Sequence, residues 1–432
     1  MNKKYKNKNK NIGFIGLGKL GMPVSLAIEK RGYKIYGNDI SMKVKKILKN
    51  RKYPYQEKYA DDLLKKTKIQ LTTVNNIVKN CEIIFVAVQT PHEKKYEGTT
   101  RIPNQRKDFD YKYLKNSINL LSKEASRQKK KIYISVISTV LPLTFKEKIS
   151  PLINSNKFVS IAYNPFFIAM GTVVDDFLKP EFILFGHNEK DQVCLEKFKF
   201  FYKTINSSHF YSTNIENAEL IKVLYNTYIS MKLSFINNAM ELCNNIPNSN
   251  IDEVSNALKM GTNRIISMKY LSGGMGDGGA CHPRDNIALS FLSKKLNLSF
   301  NFFDALMKQR ELNTNWIAKL ILKESKNNEI VILGYAFKAN TNMIDGSPSI
   351  LLYNLLKEKA KKIYMWDPLI DKESFNKFLK NKKINNKNLT IFIGINHEKI
   401  LNMKFKKNHK IIDPWRIFSN SQIENLITIG KI

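Results

Sequence analysis

Residues 11–40, "NIGFIGLGKLGMPVSLAIEKRGYKIYGNDI", decide the fold. Ile12 to Ile15 form a short apolar run, Gly16, Gly18 and Gly21 follow as GxGxxG, and "MPVSLAIEKRG" has helical spacing closed by Gly32. "KIYGNDI" then reads as a second strand ending in Asp39, 21 residues after Gly18, where an acidic side chain suits the ribose diol of NAD. The competing reading is a glycine-rich turn with no ligand. Strand, turn, helix, strand and distal acid agree on a dinucleotide-binding unit.

The same alternation continues outward. "EIIFVAVQTP" (Glu82 to Pro91), "KIYISVISTV" (Lys131 to Val140) and "VSIAYNP" (Val159 to Pro165) read as strands, with helical stretches such as "YKYLKNSINLLSKEASRQ" between them. The first two hundred residues are therefore expected to form a mostly parallel α/β sheet, with "QTP", "STV" and "YNP" at strand carboxyl ends, where ligands gather. From Asn214 to Asn245 no Gly or Pro interrupts a helical pattern, and a helix this long usually joins domains or pairs with a copy of itself. "IDEVSNALKM" continues helical, a glycine cluster follows, and "NIALSFLSKKLN" resumes the helix. After Asn313, "EIVILGYAF", "PSILLYNLLKEKA", "KIYMWDP", "LTIFIGI" and "HKIIDPW" describe a second, smaller α/β domain.

Composition bounds the function. The chain has 432 residues, room for two or three cores, and 43% hydrophobic residues, which excludes a disordered chain. Lys and Arg (71) outnumber Asp and Glu (37), giving a net charge of +34. The lysines are scattered rather than clustered, so nucleic-acid and membrane-surface readings weaken and a bias toward anionic ligands remains. Cys81, Cys194, Cys243 and Cys281 show neither metal-ligand nor disulfide spacing, so no metal is expected and a reducing compartment is. With no apolar run of signal or membrane-spanning length, the expectation is a cytoplasmic protein without membrane insertion.

Several residues are candidates for chemistry. Lys222 and Asn226 are four apart on one helix face within an apolar stretch, where a cation and an amide can address one centre; a solvated lysine and a surface amide are the alternative. Cys281, in "GDGGACHPRDN", follows glycines that let backbone approach a ligand closely, so it is either a nucleophile or a packed thiol. Asp285 can orient a lysine or a water, or cap the following helix. Thr139 is a hydroxyl at a strand end or a turn former. Lys338, in "GYAFKANT", is placed for a phosphate or carboxylate, or is one more loop lysine.

Taken in order, "GFIGLGKLG", "VAVQTP", "STV", "NP" with "GT" and "DDFLKPEFILFG", "AELIKVLYNTYISMKLSFIN", "GGACHPRD", "ILGYAFKANT" with "SP", and "WDP" with "IIDPWR" resemble the UDP-glucose/GDP-mannose dehydrogenase family of nucleotide-sugar 6-dehydrogenases. The resemblance covers nearly the whole chain. It implies an NAD-binding Rossmann domain over residues 1–205, a central helical dimerisation region with the cysteine loop over 206–312, and a C-terminal nucleotide-sugar-binding α/β domain over 313–432. It also implies oxidation of a sugar C6 alcohol to the carboxylate with NAD, through a thiohemiacetal and thioester on Cys281, in a homodimer supplying a polysaccharide precursor.

In that reading Lys222 is the acid/base or oxyanion-stabilising cation, Asn226 holds the oxyanion, and Thr139 and Asp285 position water. Gly16, Gly18, Leu20, Gly21, Asp39, Thr90 and Thr139 hold NAD, while Lys222, Asn226, Lys338 and Gly278 hold the substrate. Two departures stand out. Phe166 occupies the position of the family's usual Glu base after "NP", and Asp345 in "TNMIDGSP" replaces an Arg near the cofactor. His282, beside the nucleophile, is the candidate substitute base. The alternatives are oxidation that stops at the aldehyde, a thioester passed to another acceptor, and a non-catalytic nucleotide-sugar-binding or nucleic-acid-binding protein.

Overall fold

The computed structural model describes residues 10–101, 103–262, 272–276, 279–297, 301–384 and 388–430. The chain divides into two compact units, residues 1–91 with 109–224 and residues 92–108 with 225–432.

The first unit is built on β1 (Asn11–Ile15), β2 (Lys34–Asn38), β3 (Gln70–Leu71), β4 (Ile83–Val86), β5 (Ile132–Val136), β6 (Val159–Tyr163), β7 (Phe182–His187) and β8 (His209–Asn214). They form one sheet in the order 3-2-1-4-5-6-7-8, parallel throughout except where β7 meets β6. The order 3-2-1-4-5-6 is that of a dinucleotide-binding sheet, and its reversal between β1 and β4 opens a crevice at their carboxyl ends. The strands β4, β5 and β6 are buried along their whole length, as a sheet covered on both faces requires. The covering helices are α1 (Gly21–Lys30), α2 (Met42–Asn50), α3 (Ala60–Lys66), α4 (Val74–Asn80), α5 (Lys112–Arg127), α6 (Val173–Leu178) and α7 (Gln192–Ile205). Phe85 is the hub of the core, stacked on Phe14 at 5.2 Å between ring centres and packed against Phe198 and Phe201 of α7.

α8 (Ile215–Asn245) carries the chain from the first unit into the second, unbroken over 31 residues. There follow α9 (Ile251–Met260), α10 (Cys281–Lys295) and α11 (Phe302–Ser325), then β9 (Glu329–Leu333), α12 (Pro348–Leu356), β10 (Ile363–Trp366), α13 (Phe375–Asn381), β11 (Leu389–Ile393), α14 (Glu398–Leu401), β12 (Lys410–Asp413) and β13 (Leu426–Thr428). The five strands make an all-parallel sheet in the order 10-9-11-12-13. Alternation along β9 splits the core: Ile330 and Ile332 join Ile317, Ile321, Leu352 and Leu356, while Val331 and Leu333 join Phe378, Leu379 and Ile400 on the opposite face.

One element starts earlier than its sequence suggests. The helix expected from Asn286 begins at Cys281, because Pro283 falls in its first turn, where no intrahelical N–H bond is lost. Among the described residues no helix is long and apolar enough to cross a membrane.

Candidate active site

In the first unit the glycines of the opening turn do separate jobs. Gly16 has φ +91°, and a Cβ there would lie 2.7 Å from the Ala87 carbonyl oxygen; a Cβ on Gly21 would lie 2.1 Å from the Gly16 oxygen. Both are required by the protein's own packing. At the exposed Gly18 a Cβ would meet nothing within 4 Å, so the protein's own packing leaves that place open just before α1, at the kind of helix N-terminus that favours phosphate. Asp39, just past β2, accepts from Leu17 N and Ser41 N, each at 2.7 Å, which holds its carboxylate at the strand end. Leu20 is half-buried against the core at the N-cap of α1. The Thr90 hydroxyl donates to the Thr139 carbonyl at 2.8 Å and ties the carboxyl ends of β4 and β5 together. Open glycine, held carboxylate and helix N-terminus fit NAD.

Lys222 also meets its neighbours in this unit. It is 8% exposed, its Nζ donates to the Phe166 carbonyl at 3.1 Å, and it lies 5.1 Å from the centre of the Phe167 ring. The solvated-lysine alternative is thereby overturned. The Phe166 ring turns into the core against Phe177, at 5.3 Å between ring centres, and cannot move a proton. Glu219, one turn before Lys222 on α8, was not singled out by the sequence. Its buried carboxylate accepts from Leu143 N and Phe145 N, both at 2.9 Å, and so anchors the chain leaving Thr139. Burial pushes its carboxyl up to about 8, against the opposite pull of those two N–H bonds.

In the second unit, Cys281 is the exposed one of the four cysteines and opens α10; Cys81, Cys194 and Cys243 are buried. Burial pushes the Cys81 thiol up to about 12 and the Cys194 thiol higher still, which leaves them inert. Asp285 is fully buried and accepts from Asn226 Nδ2 at 2.5 Å and Arg284 Nε at 3.1 Å. It sits inside α10 behind the N-cap Ala280, so the capping reading is corrected, and the surface-amide reading of Asn226 falls with it. His282 Nδ1 lies 2.9 Å from Ser230 Oγ, one turn beyond Asn226 on α8.

The cysteine loop is seated on the loop after β9. A Cβ on Gly279 would lie 2.6 Å from the Phe337 ring, and one on Gly346 2.4 Å from Ala280, which brings Asp345 and Lys338 to the same loop pair. Lys338 Nζ stands 5.5 Å from the Phe337 ring centre. Gly278 lies outside the described residues. The second unit thus contains Asn226, Cys281, His282, Asp285 and Lys338, and the first contains Gly16, Gly18, Gly21, Asp39, Thr90, Thr139 and Lys222. Ser230 was missed as well: its spacing of four from Asn226 puts it on the same helix face, but nothing in the sequence marks its pairing with His282.

Three profiles of one family match the chain in order: the NAD-binding domain over residues 10–206, the central domain over 216–314 and the UDP-binding domain over 331–420. The UDP-glucose 6-dehydrogenase of Rickettsia felis is 29% identical over 384 residues, covering 87% of this chain and 82% of the relative. A putative UDP-glucose 6-dehydrogenase of Bacillus subtilis is 30% identical over 366 residues, covering 83% and 81%. Among solved structures, a UDP-glucose dehydrogenase from Pyrobaculum islandicum has the same fold, with TM-score 0.82 at 19% identity over 98% of each chain. So does a UDP-D-ManNAc dehydrogenase from Pyrococcus horikoshii, with TM-score 0.80 at 20% identity over 97% and 99%. With the NAD-binding sheet, the second parallel sheet and these matches in hand, the chain belongs to the UDP-glucose/GDP-mannose dehydrogenase family, as an NAD-dependent nucleotide-sugar dehydrogenase.

Proposed function

We propose that this chain oxidises the C6 alcohol of a UDP-hexose to the carboxylate through a covalent adduct on Cys281. The observation that carries the proposal is the exposed thiol at the head of α10, four residues before a buried Asp285 that orients the amide of Asn226. NAD supplies the hydride acceptor, two equivalents for each sugar carried to the acid. The Cys281 sulfur adds to the aldehyde carbon, and the adduct oxygen becomes the hydroxyl of a thiohemiacetal. Loss of hydride from that carbon and of the hydroxyl proton gives a thioester. Water then adds to the thioester carbon, the C–S bond breaks, and the thiol is restored.

Lys222 is the cation for the oxygen charge in these steps. Its bond to the Phe166 carbonyl and its place beside the Phe167 ring favour a held, charged ammonium. Asn226 contributes its second amide N–H to the adduct oxygen, the first being committed to Asp285. Asp285 and Thr139 position water. With Phe166 turned into the core, His282 takes the role of hydrolytic base. Lys338 binds the substrate's phosphates.

The chain acts as a homodimer paired through α8. Leu220, Leu224, Tyr228, Met231 and Phe235, spaced three or four apart along that helix, are all exposed, which supports a partner surface. Counting NADH per sugar consumed with UDP-glucose, UDP-N-acetylhexosamines, UDP-galactose and GDP-mannose tests the reaction. A ratio near two supports the acid, a ratio near one an aldehyde product, and no NADH from any sugar overturns the proposal. Cys281→Ala is expected to eliminate the second equivalent.

A further inference from the structure

We infer that Ser230 is a positioning residue that fixes the tautomer of His282, so that Nδ1 carries the proton and Nε2 the lone pair that takes a proton from water in thioester hydrolysis. The inference rests on the function proposed above for its chemical consequence, but its structural part stands on hydrogen bonds alone.

Ser230 Oγ is fully buried and has three neighbours: the Asn226 carbonyl at 3.2 Å, Asn286 Nδ2 at 3.1 Å and His282 Nδ1 at 2.9 Å. The Asn226 carbonyl only accepts, so in the inferred arrangement the single hydroxyl proton of Ser230 goes to it. The orientation of the Asn286 amide is also settled. The same side-chain atom lies 2.8 Å from the His282 backbone carbonyl, which must receive a proton, so that atom is the NH2 nitrogen and its other proton points at Ser230 Oγ. With its own proton committed and one donor already accepted, Ser230 Oγ can only accept from His282. The ring nitrogen facing it is therefore Nδ1–H in the neutral imidazole, and Nε2, on the other side of the ring, is the basic nitrogen.

That assignment matters because this chain has Phe166 where a proton-transferring carboxylate is expected. In hydrolysis Nε2 takes a proton from water as the water oxygen bonds to the thioester carbon. The C–S bond then breaks, and the imidazolium returns its proton to the Cys281 sulfur, so atoms and charge balance without a further reactant. Had the other tautomer prevailed, Nε2 would be a donor and the step would lack a base. Asn226, Ser230 and His282 thus form one relay in which the residue holding the adduct oxygen also sets, through its backbone carbonyl, the protonation of the base.

The test uses the full chain labelled with 15N at its six histidines. His282→Asn identifies the His282 signals by their loss. In the unsubstituted protein above the imidazole titration, the expected result is a protonated Nδ1 and a lone-pair Nε2. In Ser230→Ala that preference is lost or reversed, and Ser230→Thr, which keeps the hydroxyl, retains it. In single turnovers followed by intact mass, the ratio of thioester hydrolysis to thioester formation falls about tenfold in Ser230→Ala, as expected for a base only partly in its competent tautomer. A protonated Nε2 in the unsubstituted protein overturns the inference, and so does an unchanged tautomer in Ser230→Ala. Equal loss of both rates shows a merely structural serine and overturns the catalytic consequence. If no nucleotide sugar yields NADH, the functional reading fails while the nitrogen spectra still decide the tautomer.

Discussion

Gly18 and Gly21, three residues apart in one turn, separate what the fold needs from what the cofactor needs. A methyl group on Gly21 would overlap the Gly16 carbonyl oxygen at 2.1 Å, whereas one on Gly18 would meet no protein atom within 4 Å. Gly21→Ala is therefore expected to lower the melting temperature markedly with or without NAD. Gly18→Ala is expected to melt like the parent in the absence of NAD and to weaken NAD binding, read by fluorescence titration, by on the order of tenfold or more. Equal stability losses in the two variants would refute the distinction. Both glycines were legible from their spacing, as were Cys281 and Asn226, because each belongs to a short contiguous pattern. Ser230 with His282, 52 residues apart, and Glu219 with Leu143, 76 apart, were not. Their roles arise from pairings that only the folded chain makes, and a polar residue on a helix face carries no mark of its partner.

At the scale of elements, α8 was legible because nothing within it opposes a helix, and its two faces do different things. One face buries Val223, Ile236 and Met240, while Leu220, Leu224, Tyr228, Met231 and Phe235 stay exposed; Phe235 is 56% so. An apolar stripe of that length fits the pairing surface of the homodimer proposed above. Leu224→Glu combined with Phe235→Glu is expected to convert a dimer to a monomer in sedimentation velocity, with little change in circular dichroism. A parent that sediments as a monomer at micromolar concentration would refute the assignment. Elements that escaped the sequence did so for identifiable reasons. β3 spans two residues, too few to show a period, and β8 is largely exposed, so it lacks the apolar run that marked its neighbours. α10 began five residues early because a proline that ends a helix from within is harmless in its first turn.

At the scale of the whole molecule, both sheets followed from the alternation of apolar runs with helical patterns, but the membership of residues 92–108 did not. They leave the first unit after β4 and belong to the second. Their fastenings join residues about two hundred positions apart. Tyr96 is buried with Ile287, Leu306 and Met307, Arg310 Nη2 donates to the Gly98 carbonyl at 2.6 Å, Arg106 pairs with Asp304, and Asn354 Nδ2 donates to the Thr99 carbonyl at 2.8 Å. Burial, with the charge of Arg284 acting the same way, pushes His92 down to about 4, so its ring is neutral at physiological pH beside the Asp285 pair. Arg310 is 4% exposed, and removing its guanidinium leaves the Gly98 carbonyl buried without its donor, a loss of about 1–3 kcal/mol. Because the segment is tied down at a few points rather than built into a sheet, that loss should appear as local opening and not as global unfolding. In Arg310→Ala, backbone amides of residues 94–98 are expected to exchange with deuterium roughly ten times faster, while those of β1 and β4 exchange at the parental rate. Uniform acceleration across both units would show instead that the segment is part of the global folding unit, and no acceleration would show that the Tyr96 cluster, Arg106–Asp304 and Asn354 hold it without Arg310.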